Sequence, residues 1–526
     1  MTRTSVLVVG GSLNGLSLAL FLARRRVGCT VVERHPATTV QYKFAGISPR
    51  SMEIYRGAGI EQEIRERRTG DQKGGEIARA RSLADPDVRF LGKPWSDMSD
   101  LSAASAETCD QDRLEPILRA HAERLGADVR FHTELVSFTQ DEHAVLARVR
   151  DLGTGREDVV EADYLVAADG IGGRTRESLG IERTGPGVLQ HWMNLIFDTD
   201  LEPFLKGRRF TSCFVTDLNA TVTPREDHWL LALQYRPERG ESPEGFDAAR
   251  TAELVRRAAG RSDVRAELFD ARAWDVTAWL AERFREGRAF LLGDAAHSMP
   301  PTGAFGGNTG IHDGHNLAWK LELVLGRAAR PGLLESYQIE RRYVAEHSLA
   351  QALARLAAWF EDPSKRLPAP VPIVDDAAVI FGYVYPGGAL VADAAASAAF
   401  ENPHEPTGRP GSRAPHFMIE HAGSFVPVHD CFGAGFVLLT GAAGQRWSEA
   451  AANADRRFAA SIRCLPAGPR GHAAARRFEE VYHVEADGAV LVRPDGHIAW
   501  RAQRAARDPE AELAGALEAV HLCSRD

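Results

Sequence analysis

The stretch "SVLVVGGSLNGLSLALFLARRRVGCTVVER" (Ser5–Arg34) decides the fold. Ser5–Gly10 is a short apolar run of the length and β-branched character of a buried strand. Leu13–Arg26 has helical length and closes on arginines, and Cys29–Arg34 is a second strand that ends in an acid. Strand, glycine-rich turn, helix and strand make a βαβ unit. The turn reads Gly10-Gly11-Ser12-Leu13-Asn14-Gly15. A dinucleotide-binding turn wants glycine first, third and sixth: for the tight turn, for close approach to the pyrophosphate, and for helix–strand packing. Gly10 and Gly15 meet two of these needs. Ser12 stands in the middle position, so it either displaces the phosphate slightly or donates its hydroxyl to it. Glu33 follows about twenty residues on, where a carboxylate accepts from ribose hydroxyls. Taken alone, the unit binds a nicotinamide or a flavin dinucleotide.

The bulk properties set limits around that unit. A chain of 526 residues exceeds one ordinary core, so two or three domains are expected. Hydrophobic residues at 44% and charged residues at 26% are a globular balance. Seventy-two acids against 63 bases give a net charge of -9, which excludes a nucleic-acid partner that needs a basic face. "ARRR" (Ala23–Arg26) and "RERR" (Arg65–Arg68) are short and read as solvated helix ends. Six scattered cysteines without CxxC or zinc spacing point to a reducing cytoplasm. Val6–Ala23 mimics a signal peptide or span, but its glycines, Ser12, Asn14 and the strand beyond mark folded structure. No membrane association is expected.

The rest of the chain divides by texture. "YLVAADG" (Tyr164–Gly170) and "RAFLLGD" (Arg288–Asp294) are buried strands ending in polar turns, like the first. Between them, from about Thr184, short alternating runs separated by turns predict an antiparallel sheet. The fold expected is therefore α/β. A discontinuous Rossmann-like domain covers 1–183 and 289–400, with a piece at about 72–110 belonging to the substrate domain. A mainly antiparallel β substrate domain covers 184–288. "ENPHEPTGRPGSRAPH" (Glu401–His416), rich in proline and glycine, reads as a linker, and 417–526 as a separate α/β unit.

"ADG" (Ala168–Gly170), "GDAAHSMPPTGAFGGN" (Gly293–Asn308), "GISPRSMEIYRGAGI" (Gly46–Ile60) and "DQDRLEPIL" (Asp110–Leu118) then identify the nucleotide. Their order and spacing resemble the single-component FAD-dependent aromatic hydroxylases, the class A flavoprotein monooxygenases with the para-hydroxybenzoate hydroxylase fold. Within that family the chain is most similar to the hydroxylases of aromatic polyketides of anthracycline and angucycline type. The likeness extends to "LVRPDGHIAW" (Leu491–Trp500) in the tail. It implies FAD, held by the turn residues Gly10, Ser12, Leu13, Asn14 and Gly15, with Glu33 on the ribose. Asp169 lies near the pyrophosphate, Gln111 at the flavin or ribitol, and the Leu135 backbone at the adenine. Arg34 binds adenosine phosphate or NADPH. Lys43 stands where the family has an arginine, keeping the charge without the bidentate geometry.

Asp294, at the end of a strand, is placed to accept from ribitol hydroxyls. Pro301, Gly303, Gly306, Gly307 and Asn308 shape a loop of bare amides, and the helix beginning there turns its positive end to the flavin's pyrimidine edge. That arrangement stabilises an anionic reduced flavin by on the order of 1 kcal/mol. Ala304 replaces a family glycine and is expected to be tolerated. His297 reads as a packing residue below the ribitol rather than the partner of Asp294 in a dyad. His312 and His315, at i and i+3, lack a third ligand, and no metal is expected.

The resemblance further implies NADPH or NADH docking transiently as reductant, O₂ as co-substrate, and a flavin C4a-hydroperoxide that hydroxylates an activated ring. No catalytic acid or base is assigned. The substrate walls are expected from Trp192, Asn194, Phe214, Trp229, Gln234 and Tyr235 on the sheet, and from Tyr383 and Tyr385 in "FGYVYPGGA" (Phe381–Ala389). The tail resembles a thioredoxin-like fold without CxxC, suited to stabilisation or dimer contact; monomer and homodimer both stay open. The rival reading is a Baeyer–Villiger or oxidative-rearrangement monooxygenase acting on a polyketide quinone.

Overall fold

The computed structural model describes all residues except 41–42, 70–75, 93–94, 96–97, 226–227, 360–370, 393–397, 469–472 and 526. Strand Thr2–Val9 lies inside an eight-stranded sheet, parallel to Cys29–Glu33 on one side and to Glu157–Ala167 on the other. Asp128–Phe131 and Ala289–Leu291 extend the parallel set outward. Val6, Leu7 and Val8 are fully buried, as expected for a strand covered on both faces. Helix Leu13–Arg24 covers one face and buries nearly every residue it has.

Sterics explain the turn between them. Gly10 has φ +105°, and a Cβ there would sit 2.2 Å from the carbonyl oxygen of Ala168. A Cβ on Gly15 would sit 1.9 Å from that of Gly10. Both are required by backbone contact, independent of any ligand.

The second sheet is mainly antiparallel. Its strands run, in spatial order, His297–Ser298, Glu267–Ala281, Arg183–Asp198, Trp229–Tyr235, Ala220–Pro224, Phe210–Val215, Glu76–Ala80 and Arg89–Phe90. Side-chain alternation splits it into two faces. Met193, Leu195, Phe197, Leu231 and Leu233 join a core with Leu254, Val255 and Ala258 of helix Ala248–Ala259. On the opposite face Trp192 and Val276 pack against Leu356 of helix Glu335–Trp359, which belongs to the nucleotide-binding side. One face is therefore sealed by its own helix and the other looks across at the first sheet.

The C-terminal unit holds a four-stranded sheet ordered Ile462–Pro466, Phe436–Thr440, Ala489–Val492, Ile498–Ala502, with helices Gln445–Arg457, Ala473–Tyr482 and Pro509–Ala519. Trp319, from helix Phe305–Leu325, enters its core and meets Phe436 edge-on at 5.9 Å. The segment 401–416 is not a free connector. Gly408 and Pro410 through Pro415 are buried, Gly411 bonds to Tyr385 and Ile498, and Arg413 reaches Glu53. Proline and glycine reported irregular backbone there, and irregular backbone is not the same as exposure. All six cysteines are unpaired thiols, and burial pushes Cys29 and Cys109 up to about 12. Among the described residues, no helix is long and apolar enough to cross a membrane.

Candidate functional site

At the dinucleotide end, the Gly11 N–H donates to Glu33 Oε2 at 2.7 Å, and the His35 N–H donates to Oε1 at 2.8 Å. His35 Nδ1 also lies 2.6 Å from Oε1, so it is Oε2 that keeps a further lone pair with which Glu33 can accept from a ribose. Ser12 is different. Its Oγ lies 2.5 Å from Glu115 Oε1 and accepts from Gln111 Nε2 at 2.8 Å. A hydroxyl has one proton, and a carboxylate only accepts, so that proton goes to Glu115. In this arrangement the Ser12 proton is directed at Glu115, and the backbone N–H groups of the turn remain free to meet a phosphate. Glu115 lies one helical turn after Gln111 on helix Gln111–Arg124 and also accepts from the Thr39 N–H at 2.8 Å. It is fully buried and was not singled out from the sequence, although the spacing within "DQDRLEPIL" puts it on the face of Gln111.

Asp169 Oδ2 accepts from the Thr175 N–H and hydroxyl at 3.1 and 2.7 Å. Its Oδ1 is buried without a partner, as is Asn14 Oδ1. Burial raises the Asp169 carboxyl above its ordinary value, opposed first by the Thr175 hydrogen bonds and least by Arg34. Asn14 is socketed between Gly293 and Gly310, where a Cβ would come within 2.2 and 2.3 Å of its Nδ2. Leu135 sits beside a register shift in strand Thr133–Gln140, which loosens the ladder at its backbone.

At the other end Asp294 is reachable by solvent yet ringed by protein. Desolvation raises its carboxyl, while His297 and the exposed Lys43 pull it down. His297 is fully buried with its Nε2 2.8 Å from Asp313 Oδ2. The same carboxylate accepts from the Gly293 N–H at 3.3 Å and from Arg341 Nε at 2.7 Å. Burial alone would raise Asp313, but Arg341 and His297 hold it below its ordinary range. His297 is thus tied to Asp313 and supports the loop from beneath.

Gly303 has φ +86° and Ala304 φ +51°, and the helix begins at Phe305, so Gly306, Gly307 and Asn308 lie in its first turn. A Cβ on Gly307 would meet Phe44 Cδ2 at 2.5 Å, so that glycine makes room for a protein ring. The Asn308 side chain is fully engaged. Its Oδ1 accepts from the Ser48 N–H and the Ser51 hydroxyl at 2.9 and 2.7 Å, and its Nδ2 donates to Gly46 and Ala304 carbonyls at 3.0 and 2.8 Å. It pins the helix start to Gly46–Ser51, and only its backbone remains available to a cofactor. Pro301 precedes this start and is exposed.

The expected substrate wall divides between the two faces of the sheet. Trp192 pairs with Gln234 and Asn194 with Ala232, and Phe214 is linked through Thr221 to that same row, so these residues look toward the flavin loop. Trp229 and Tyr235 belong to the core under helix Ala248–Ala259 and cannot line the groove. The strand alternation decides this, and aromatic content alone had not. Tyr385 is also withdrawn. Its hydroxyl lies 3.4 Å from Asn316 and 3.3 Å from Arg341, and the Arg493 guanidinium covers its ring at 5.2 Å. Tyr383 is 4% exposed and stacks on His312. His312 Nε2 is 3.0 Å from Ser51 Oγ, and His315 packs edge-on to Phe21 at 5.4 Å.

Glycine turns closed by backbone contact, buried acceptors without partners on Asn14 and Asp169, and the bare amides at Phe305–Gly307 fit a dinucleotide with a large planar head. Fold and site together define a flavoprotein that holds FAD. Two family models match the chain: the FAD binding domain over residues 3–352 and the aromatic-ring hydroxylase C-terminal domain over residues 407–521. The chain belongs to the FAD-binding aromatic-ring hydroxylases and is an FAD-dependent monooxygenase.

Among its relatives, a tetracenomycin A2 monooxygenase-dioxygenase of Streptomyces glaucescens is 38% identical over 548 residues, covering 98% of this chain and 96% of the relative. A 4-methyl-5-nitrocatechol 5-monooxygenase of a Burkholderia species is also 38% identical, over 541 residues, with 98% and 97% covered. A crystal structure of aklavinone-11 hydroxylase in a ternary complex with FAD and aklavinone superposes with a TM-score of 0.91, at 37% identity, over 99% of both chains.

Proposed function

We propose that this enzyme hydroxylates a polycyclic aromatic polyketide, consuming one O₂ and one NADPH or NADH per turnover. The substrate gains one oxygen atom, the other leaves as water, and the nicotinamide supplies the two electrons. FAD, when bound, would supply the oxygen activation; Asp294, Gln111, the turn residues and the amides of Phe305, Gly306 and Gly307 would hold it. The sheet face opposite has to keep water away and hold the ring against the flavin.

The width of that face carries the polycyclic reading. From Trp274 to Phe214 it crosses four strand spacings, roughly 19 Å at the usual separation. Trp192 and Trp274 line one end, Phe214 lies at the other, and the small side chains Thr221 and Ala232 lie between them. Such a shelf accommodates several fused rings, and a single catechol ring would leave most of it bare. The aklavinone complex of the relative supports this choice over the nitrocatechol one.

The test is aerobic turnover of the purified yellow protein with tetracyclic to hexacyclic phenols under ¹⁸O₂, read by mass spectrometry. One labelled oxygen in a product of unchanged ring count is expected. A ring-expanded lactone, or turnover confined to monocyclic phenols, overturns the proposal.

A further inference from the structure

Asn194 occupies the middle of the sheet face that looks toward the flavin loop. At one end of this face Trp192 packs under Leu356. Near the other, Arg225, in the turn after strand Ala220–Pro224, pairs with Asp110 at 2.7 Å, immediately before Gln111. Asn194 lies between these two anchors, half-buried, with Ala232 beside it on one neighbouring strand and Arg272 on the other.

Its amide is oriented by a tryptophan. Trp274, diagonal to it across the strand pair, donates its indole N–H to Asn194 Oδ1 at 2.9 Å. An indole nitrogen is a donor and nothing else, so the amide atom facing it is the oxygen, which removes the usual ambiguity of an amide's two ends. Trp274 is itself held in place. Its ring lies 5.8 Å from that of Trp192, and Trp192 donates to Gln190 Oε1 at 2.9 Å. Flipping the amide would oppose donor to donor. The Nδ2 end is left with two N–H groups and, among the described residues, no hydrogen-bond partner; Ala232, the neighbouring side chain, is too short to cover it.

From this we infer that Asn194 is a specificity-determining residue that donates to a carbonyl oxygen of the substrate, and that Trp274 is the positioning residue that keeps its donor end forward. The inference rests on the polycyclic reading above and narrows it. The substrate is a ring system bearing a quinone, ketone or ester carbonyl, and not a purely phenolic one.

The experiment compares wild type, Asn194→Asp, Trp274→Phe and the double variant. Each is checked first for unchanged FAD content, and each is then titrated with a tetracyclic quinone, with binding read from the flavin absorbance. Asn194→Asp replaces the two donors with an acceptor and is expected to weaken binding ~10–100-fold, with kcat at saturation changed far less. Trp274→Phe keeps the ring and removes the N–H, which frees the amide; a few-fold weakening is expected, and no further loss when it is added to Asn194→Asp. Equal binding by wild type and Asn194→Asp overturns the inference. So does a Trp274→Phe penalty that persists in the Asn194→Asp background, because Trp274 would then act by its own contact. Quinone binding without any product sinks the functional proposal and leaves the inference standing, whereas a wild type that binds no quinone sinks both.

Discussion

Ala304 holds the left-handed conformation at φ +51° and ψ 35°, immediately before helix Phe305–Leu325. For a residue with a Cβ this costs about 1 kcal/mol or more, which gives a physical reason for the glycine of the family pattern. Ala304→Gly is expected to raise stability by about 0.5–1 kcal/mol, the loss of strain being partly offset by greater freedom of the unfolded chain. The temperature of flavin release on heating would show it as a small upward shift. Asp294 is the opposite case, since among the described residues nothing hydrogen-bonds its carboxyl, and desolvation already raises it. Asp294→Ala is therefore expected to leave the fold intact and to lose FAD on gel filtration; a fully active, flavin-retaining variant would remove Asp294 from the site. Ser12 shows where reading single residues stops. The sequence posed a choice for its hydroxyl, and the answer depended on Glu115, more than a hundred positions away in the chain.

Elements were more legible than contacts. The first strand–turn–helix–strand followed from hydrophobic runs and two glycines because local sterics enforce it, and the antiparallel sheet followed from alternating runs. Alternation separates Gln234 from Trp229 and Tyr235 along one strand; what it could not supply was register, which sets Gln234 opposite Trp192 and Ala232 opposite Asn194. The start of helix Phe305–Leu325 is hidden in the sequence for a related reason. Its first turn is rich in glycine and has no apolar stripe to announce it, so the helix is fixed from outside by Asn308. With four hydrogen bonds tying Gly46, Ser48, Ser51 and Ala304 together, Asn308 sets where the free amides point. Asn308→Ala leaves the Ser48 N–H and the Ser51 hydroxyl without their acceptor in a buried place and is expected to cost about 2–3 kcal/mol. Because the helix start moves, the reduction potential of the flavin should fall as well. A variant of lowered stability with an unchanged potential would show that the pin serves the fold and not the cofactor.

At the scale of the whole molecule, the C-terminal unit is held to the rest by buried charge as well as by Trp319. Arg493 of that unit grips Glu340 of helix Glu335–Trp359 through both terminal nitrogens, at 2.7 and 2.9 Å, and Asp495 accepts from its Nε at 3.0 Å and from Asn316 at 3.1 Å. Lys320 donates to Glu340 as well, at 2.8 Å, and all of these side chains are buried. Burial by itself would raise Glu340, but Arg493 and then Lys320 bring it down to about 2 from an unfolded value of 4.5. A carboxyl depressed in this way gives stability that is fully present above about pH 4.5 and is lost as pH falls through about 2, in total on the order of 3 kcal/mol. Lys320 runs the other way. Burial lowers it to about 8 from 10.5, so the folded chain binds fewer protons in that window and stability rises between about pH 8 and 10.5. Lys320→Met should then be tolerated, because Glu340 keeps both oxygens on Arg493, and it should abolish the alkaline rise. Arg493→Met strands Glu340 and Asp495 without their main partner and is expected to cost about 3–5 kcal/mol, enough to loosen the C-terminal unit at neutral pH. Urea unfolding of the holoenzyme at intervals from pH 3 to 10 checks all three curves. A wild-type midpoint that is flat below pH 4.5, or an Arg493→Met protein as stable as wild type, would show that the two units are held by apolar contact alone.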